Sequence, residues 1–239
     1  MSPFVYNTAT KVTKYFLLPL YTRIQVKGIE NLPLTGPVIL ASNHLNDCDP
    51  GILCTRINRV IVFMTKIELF KIPVLAQFLR GFGAFPVRRG EADLSALRLA
   101  SAALADGKAL CIFPEGTREG PPELLMQAHP GAALLALRHD VPVVPVSIHG
   151  SGKLALPGMF LRLDRRVRVT LTIGKPFVLE KPARLNAESV EAGTRRIMES
   201  IAALLPEGHR GYYEYISSGQ DGEVPTPPAE AGGSATKDP

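Results

Sequence analysis

Within Ala41-Ser42-Asn43-His44-Leu45-Asn46-Asp47-Cys48-Asp49-Pro50, a histidine and a carboxylate stand five positions apart. At a tight corner such a pair can meet through one imidazole nitrogen, which leaves the other free to take a proton from a hydroxyl. The carboxylate would fix the tautomer and stabilise the imidazolium as it forms, as in a serine-protease triad without the serine. Asp47 competes with Asp49 for that role on proximity alone. The decapeptide also reads as a capping asparagine, a packed histidine and a helix-opening aspartate, because His/Asp pairs are common. Two more stretches carry reactive groups. Arg88-Arg89 offers guanidinium forks, which match anionic oxygens in a way that a lysine cannot. Glu115-Gly116-Thr117-Arg118 combines a carboxylate, a glycine permitting close backbone approach and a further arginine. Taken alone, it is equally a strand-ending turn with a surface ion pair.

The elements that must position these groups follow from hydrophobic patterning. Ile24 to Gly28 alternates and ends in a turn, and residues 30–36 form a loop. Pro37 to Ala41, Arg59 to Met64, Ala84 to Val87, Ala109 to Phe113, Val141 to Ile148 and Val167 to Ile173 read as strands, most of them buried. Helices are predicted over 51–58, over 67–79 as two pieces broken near Pro73, and over 93–105, 130–139 and 186–205. Residues 120–129 should be mostly loop with one helical turn. Buried strands alternating with helices imply a single α/β domain with a mixed, largely parallel sheet flanked by helices. Ligands of such sheets bind at the carboxyl ends of the strands. His44, Arg88 and Glu115 each follow a predicted strand, so all three can converge on one edge.

Residues 1–23 suggest an amphipathic helix with Phe4, Val5, Val12, Tyr15, Phe16 and Leu18 on its apolar side and Lys11 and Lys14 elsewhere. It can lie in a membrane interface or pack on its own domain. It is too short to span a bilayer and is no cleavable signal. Residues 24–216 form the folded domain, and 217–239, poor in large apolar residues, form a disordered tail. The chain has 239 residues and a net charge of +5. The tail holds Asp221, Glu223, Glu230 and Asp238 against Lys237, so residues 1–216 carry +8. A basic body suits an anionic membrane surface or phosphorylated ligands. Without tryptophan, and with no run interleaving aromatic and basic residues, a nucleic-acid reader is the weaker choice, and no nucleic-acid partner is expected. The apolar loop Leu154 to Leu161, with Arg162, Arg165, Arg166 and Arg168 behind it, is either a membrane-docking loop or a crossover lid. Cys48, Cys54 and Cys111 lack metal-ligand spacing and read as reduced thiols; the resemblance described below assigns the base to His44 and so implies no nucleophilic role for Cys48. No phosphate-binding glycine motif follows any strand, which disfavours a nucleotide-binding protein.

Four stretches in register resemble the glycerolipid acyltransferases, the lysophosphatidic acid acyltransferase family. Asn43 to Asp49 is similar to its H-x4-D motif, Gly83 to Gly90 to its second motif, Phe113 to Glu119 to its third and Val141 to Ser147 to its fourth. The likeness spans about residues 25–180. It implies a glycerol-3-phosphate acyltransferase-like fold and transfer of a fatty acyl group from acyl-CoA or acyl carrier protein to the free hydroxyl of lysophosphatidic acid. No metal and no bound cofactor are implied. The motif's spacing selects Asp49 over Asp47 as the partner of His44, the general base. Arg88 then fits the acceptor phosphate, Arg118 a second phosphate contact, and Glu115 the acceptor hydroxyls or the orientation of Arg88, with Gly116 and Thr117 between them. Pro145-Val146-Ser147 would line the acyl or acceptor pocket. Since no segment reaches the length of a confident transmembrane span, a peripheral or monotopic protein is expected, at the cytoplasmic face of the cell membrane. Two departures stand out. Asn46 occupies a position often held by serine, and Gln127-Ala128-His129-Pro130-Gly131 lacks a lysine common there. The second departure leaves open another lysophospholipid or an alcohol as acceptor. A non-catalytic lipid-binding protein of the same fold is the rival reading, against which the intact His44, Asp49, Arg88, Glu115 and Gly116 argue.

Overall fold

The computed structural model describes residues 3–81, 83–87, 94–116, 123–154 and 166–217. Seven strands form one sheet: β1 Thr22–Lys27, β2 Val38–Ser42, β3 Ile61–Lys66, β4 Ala84–Val87, β5 Ala109–Ile112, β6 Val143–His149 and β7 Val167–Ile173. Their order across the sheet is β1-β7-β6-β2-β5-β3-β4. Every neighbouring pair is parallel except β6 and β7. The expected mixed, largely parallel sheet is therefore the one observed.

The central strands are buried on both faces, which is why they read as unbroken apolar runs. Alternate residues feed two cores. Ile39, Ala41, Leu110, Ile112 and Val143 pack with Ala100 and Leu104 of α5 (Leu94–Ala105), Ala133 and Leu137 of α6 (Gly131–His139) and Ile197 and Ile201 of α7 (Ala187–Ala202). On the opposite face Val38, Leu40, Cys111, Val144 and Val146 pack with Ile52 and Leu53 of α3 (Asp49–Arg56) and with Tyr6 and Leu18 of the N-terminal helix. The edge strand β1 alternates instead, with Arg23, Gln25 and Lys27 exposed.

The N-terminal helix runs as α1 (Pro3–Val12), a π-helical turn over Thr13–Leu17 and α2 (Leu18–Tyr21). The Tyr6 hydroxyl donates to the Arg59 carbonyl and accepts from the Ile61 amide, which fastens α1 to the start of β3. The helix thus packs on its own domain and still leaves Val12, Tyr15 and Leu20 exposed. The side chains of Phe4, Val5 and Phe16 lie outside the described set. No described helix is long and apolar enough to cross a membrane.

The break at Pro73 is present: a 3-10 segment, Ile67–Lys71, precedes α4 (Pro73–Gly81). One expectation shifts: helix α3 begins at Asp49 rather than 51, so the carboxylate itself occupies the first turn. Residues 123–129 are non-helical, and the rest of the 120–129 stretch lies outside the described residues. The asparagine-capped start of α7 is a capping box, with Asn186 and Ser189 exchanging side-chain-to-backbone bonds. A last helix, α8 (Tyr212–Ser217), was not anticipated by patterning. The tail from residue 218 and most of the apolar loop, residues 155–165, lie outside the described residues.

Candidate active site

Strand β2 delivers the site. Its last residue, Ser42, is followed by Asn43, whose buried side chain reaches across to β6. Asn43 Nδ2 donates to the Ile148 carbonyl at 2.8 Å, and Asn43 Oδ1 accepts from the Ile148 amide at 2.7 Å. A side-chain amide thereby continues the ladder beyond the point where the β2 backbone turns away. The next residue, His44, emerges at the carboxyl edge of the sheet.

His44 Nδ1 lies 3.0 Å from Asp49 Oδ2. The same oxygen accepts the backbone N–H groups of Leu45 and Asn46, each at 2.7 Å. Asp49 is fully buried, and its Oδ1 has no hydrogen-bond partner among the described residues. All the donors thus converge on one oxygen. An ionised acceptor at the first turn of α3 is also favoured by the helix dipole. With Nδ1–H donating to Asp49, Nε2 is the nitrogen that keeps its lone pair. No described residue hydrogen-bonds that Nε2. The ring face stacks on Phe113, with centroids 4.1 Å apart and planes inclined by 21°. Tautomer and ring plane are each fixed by a different neighbour.

Asn46 shapes the same corner. Its Oδ1 accepts the Cys48 amide, and its Nδ2 donates to the Leu154 carbonyl at 2.6 Å. Cys48 packs beside the carboxylates, and burial followed by the charges of Asp49 and Asp47 pushes its thiol up to about 11. A thiol that stays protonated at neutral pH is a poor nucleophile, in keeping with the sequence reading.

Glu115 is brought to His44, as the strand ends predicted, but through the backbone. Its Oε1 accepts the His44 amide at 3.0 Å and its Oε2 accepts the Met126 amide at 2.9 Å. With only 3% of its surface exposed, the carboxylate braces the His44 backbone against the 123–129 segment. Burial raises its pKa to about 7; the two amide bonds pull the other way, and the nearby Asp49 charge adds to the rise. Gly116 adopts φ +66°, and a Cβ there would come within 2.5 Å of the His129 ring. The close approach that this glycine permits is therefore to His129, whose amide in turn bonds the Pro114 carbonyl.

Arg88 and Arg89 lie outside the described residues, as do Thr117 and Arg118. Strand β4 ends at Val87, directly before Arg88, and runs parallel to β3 and so to β5 and β2. Val146 of the fourth stretch is spent on the core, and the Ser147 hydroxyl donates to the Leu204 carbonyl at 3.3 Å. Both serve packing. Sequence reasoning did not assign Asn43 or Phe113 a part. Their signal was present: a polar residue closing a buried strand directly before the histidine, and an aromatic opening the third stretch.

A family model described as Acyltransferase matches residues 23–149, which include every element of this site's first two strands and both His44 and Glu115. The chain is 29% identical over 194 residues to the 1-acyl-sn-glycerol-3-phosphate acyltransferase of Bacillus subtilis, covering 79% of this chain and 91% of that protein. A Streptococcus pneumoniae protein of the same name is 28% identical over 171 residues, with 71% of this chain and 61% of that one covered. The chloroplastic LPAT1 of Arabidopsis thaliana, likewise a 1-acyl-sn-glycerol-3-phosphate acyltransferase, is 30% identical over 145 residues, or 59% of this chain. The chain spans only 40% of that plant protein's length. In three dimensions the chain is similar to the crystal structure of the 1-acyl-sn-glycerophosphate (LPA) acyltransferase PlsC from Thermotoga maritima, with a TM-score of 0.64 and 26% identity. That likeness covers 84% of this chain and 80% of the other.

Proposed function

Because the chain belongs to the acyltransferase family, we propose that it transfers a fatty acyl group from a thioester, acyl-CoA or acyl carrier protein, to the free hydroxyl of lysophosphatidic acid. The product is phosphatidic acid. The observation that carries the reading is the His44 Nδ1 to Asp49 Oδ2 bond at 3.0 Å, made to a buried carboxylate oxygen already fixed by two amides. As the acceptor hydroxyl oxygen attacks the thioester carbonyl, His44 Nε2 takes the hydroxyl proton. Asp49 stabilises the imidazolium through the Nδ1–H bond. The tetrahedral intermediate then collapses, the C–S bond breaks, and the imidazolium returns its proton to the departing thiolate. The reading gives neither a metal nor a bound cofactor a part in this step. Arg88 and Arg118 hold the acceptor phosphate, a role argued from guanidinium geometry and the order of the motifs. Glu115 acts on His44 through the backbone and is a positioning residue. Gly116 and Thr117 shape the turn between them.

We also infer a peripheral or monotopic association with the cytoplasmic face of the cell membrane. Exposed Val12, Tyr15 and Leu20 on the N-terminal helix, with Lys11 and Lys14 beside them, support it. The test of the reaction is product analysis with purified protein, labelled palmitoyl-CoA or palmitoyl carrier protein, and a panel of lysolipids. The expected product is labelled phosphatidic acid from lysophosphatidic acid. Labelled product from another lysolipid or alcohol alone would move the acceptor, as the missing lysine beside His129 allows. No acyl transfer from either donor would contradict the reaction.

A further inference from the structure

A second group of ligating side chains lies outside the reacting pair. Glu123 opens the segment that carries Met126, His149 ends β6, and His209 lies in the turn between α7 and α8. One ligand atom from each falls within 4.8 Å of the others. His209 Nδ1 is 3.1 Å from the Glu123 carbonyl oxygen and 3.8 Å from its Oε2. The two imidazoles meet edge to face, with centroids 4.5 Å apart. Two of the atoms are strange for a protein interior: Glu123 Oε1 and His149 Nδ1 are both buried without a hydrogen-bond partner among the described residues. A buried carboxylate oxygen and a buried imidazole nitrogen are costly to leave unpaired, and two such atoms in one cluster call for a shared occupant.

We propose that Glu123, His149 and His209 bind a divalent first-row transition metal, with Zn2+ the best match to two imidazoles and one carboxylate. Tetrahedral ligation at ordinary Zn–N and Zn–O lengths needs ligand atoms roughly 3.3–3.5 Å apart. Side chains that are only half-buried can close to that spacing by small rotations. The ion joins three parts of the chain that no single element connects: the 123–129 segment, the end of β6 and the C-terminal turn. That segment is already clamped by the start of α8, just beyond this turn, since Tyr212 N donates to the Leu125 carbonyl and the Tyr213 hydroxyl accepts the Ala128 amide. It also supplies the Met126 amide that holds Glu115, and Glu115 holds the His44 backbone. The metal is thus a structural staple on the brace behind His44 and takes no part in the chemical step.

The test uses the metal-free full chain titrated with Zn2+, followed by calorimetry, and with Co2+ as a spectroscopic probe of tetrahedral nitrogen and oxygen ligation. One equivalent is expected to bind, to raise the Tm by roughly 5 °C at saturation, and to give visible d–d bands with Co2+. His149→Ala and His209→Gln should each weaken binding at least tenfold and abolish the thermal shift. Should one variant fail to fold, the other and Glu123→Gln carry the comparison. No stoichiometric binding to the wild type, or binding of equal affinity in the variants, would overturn the proposal.

Discussion

At Asp49 one oxygen carries three hydrogen bonds while the other is buried without any among the described residues, and this asymmetry decides what an isosteric change would do. In Asp49→Asn, an amide oxygen turned to His44 keeps the bond, but loses the charge that supports the imidazolium and leaves a buried N–H unpaired. An amide nitrogen turned to His44 forces the wrong tautomer. Either way kcat should fall by about 10²–10⁴ with little change in KM, measured on protein whose far-UV circular dichroism is unaltered. Glu115 makes a different prediction, through its elevated pKa of about 7 against an ordinary value of 4.5. Between those values the unfolded chain has released the proton that the native carboxyl keeps. Stability in this window must therefore fall as pH rises, by up to about 1.4 kcal/mol per pH unit from this group. Urea unfolding of wild type and Glu115→Gln across pH 4.5–7 should show that slope in the first and lose it in the second.

At the scale of elements, β2 and β6 are held in parallel register as far as Ser42 and Val146, and Asn43 extends the tie to Ile148. Asn43→Ala would leave the amide and carbonyl of Ile148 buried and unpaired. It should cost about 2–4 kcal/mol by urea unfolding and lower activity by loosening the base of His44. The strands and most helices were legible in the sequence because each carries its own signal. Unbroken apolar runs mark β2, β5 and β6, and Pro73 marks the break before α4. The meeting of His44 with Asp49 was legible because the two are local in sequence, and that of His44 with Glu115 because parallel strands end on one edge. What could not be read was how Glu115 is used, since its second oxygen depends on Met126, a residue in a loop without periodicity. The Asn43–Ile148 tie spans 105 positions and leaves no local trace. Glu123, His149 and His209 are likewise scattered, with none of the close spacing by which metal sites announce themselves. The start of α3 at Asp49 was missed because Pro50 suits the first turn but does not fix which residue precedes it.

For the molecule as a whole, one sheet edge holds the candidate site while the N-terminal helix is pinned through Tyr6 and leaves Val12, Tyr15 and Leu20 outward. If this helix seats the protein on an anionic surface, Lys11→Glu with Lys14→Glu should weaken binding to phosphatidylglycerol-containing vesicles by at least tenfold. Binding to neutral vesicles should change far less, and sedimentation with the two vesicle types would measure both. The catalytic account itself turns on a single side chain. The most direct measurement is the rate of labelled acyl transfer to lysophosphatidic acid by wild type and His44→Ala, purified in the same detergent and shown by thermal melting to be equally folded. Loss of turnover by about 10³-fold or more in His44→Ala is the predicted result, since the reaction would retain binding but no base. Comparable product from both proteins would contradict the account and place the base elsewhere.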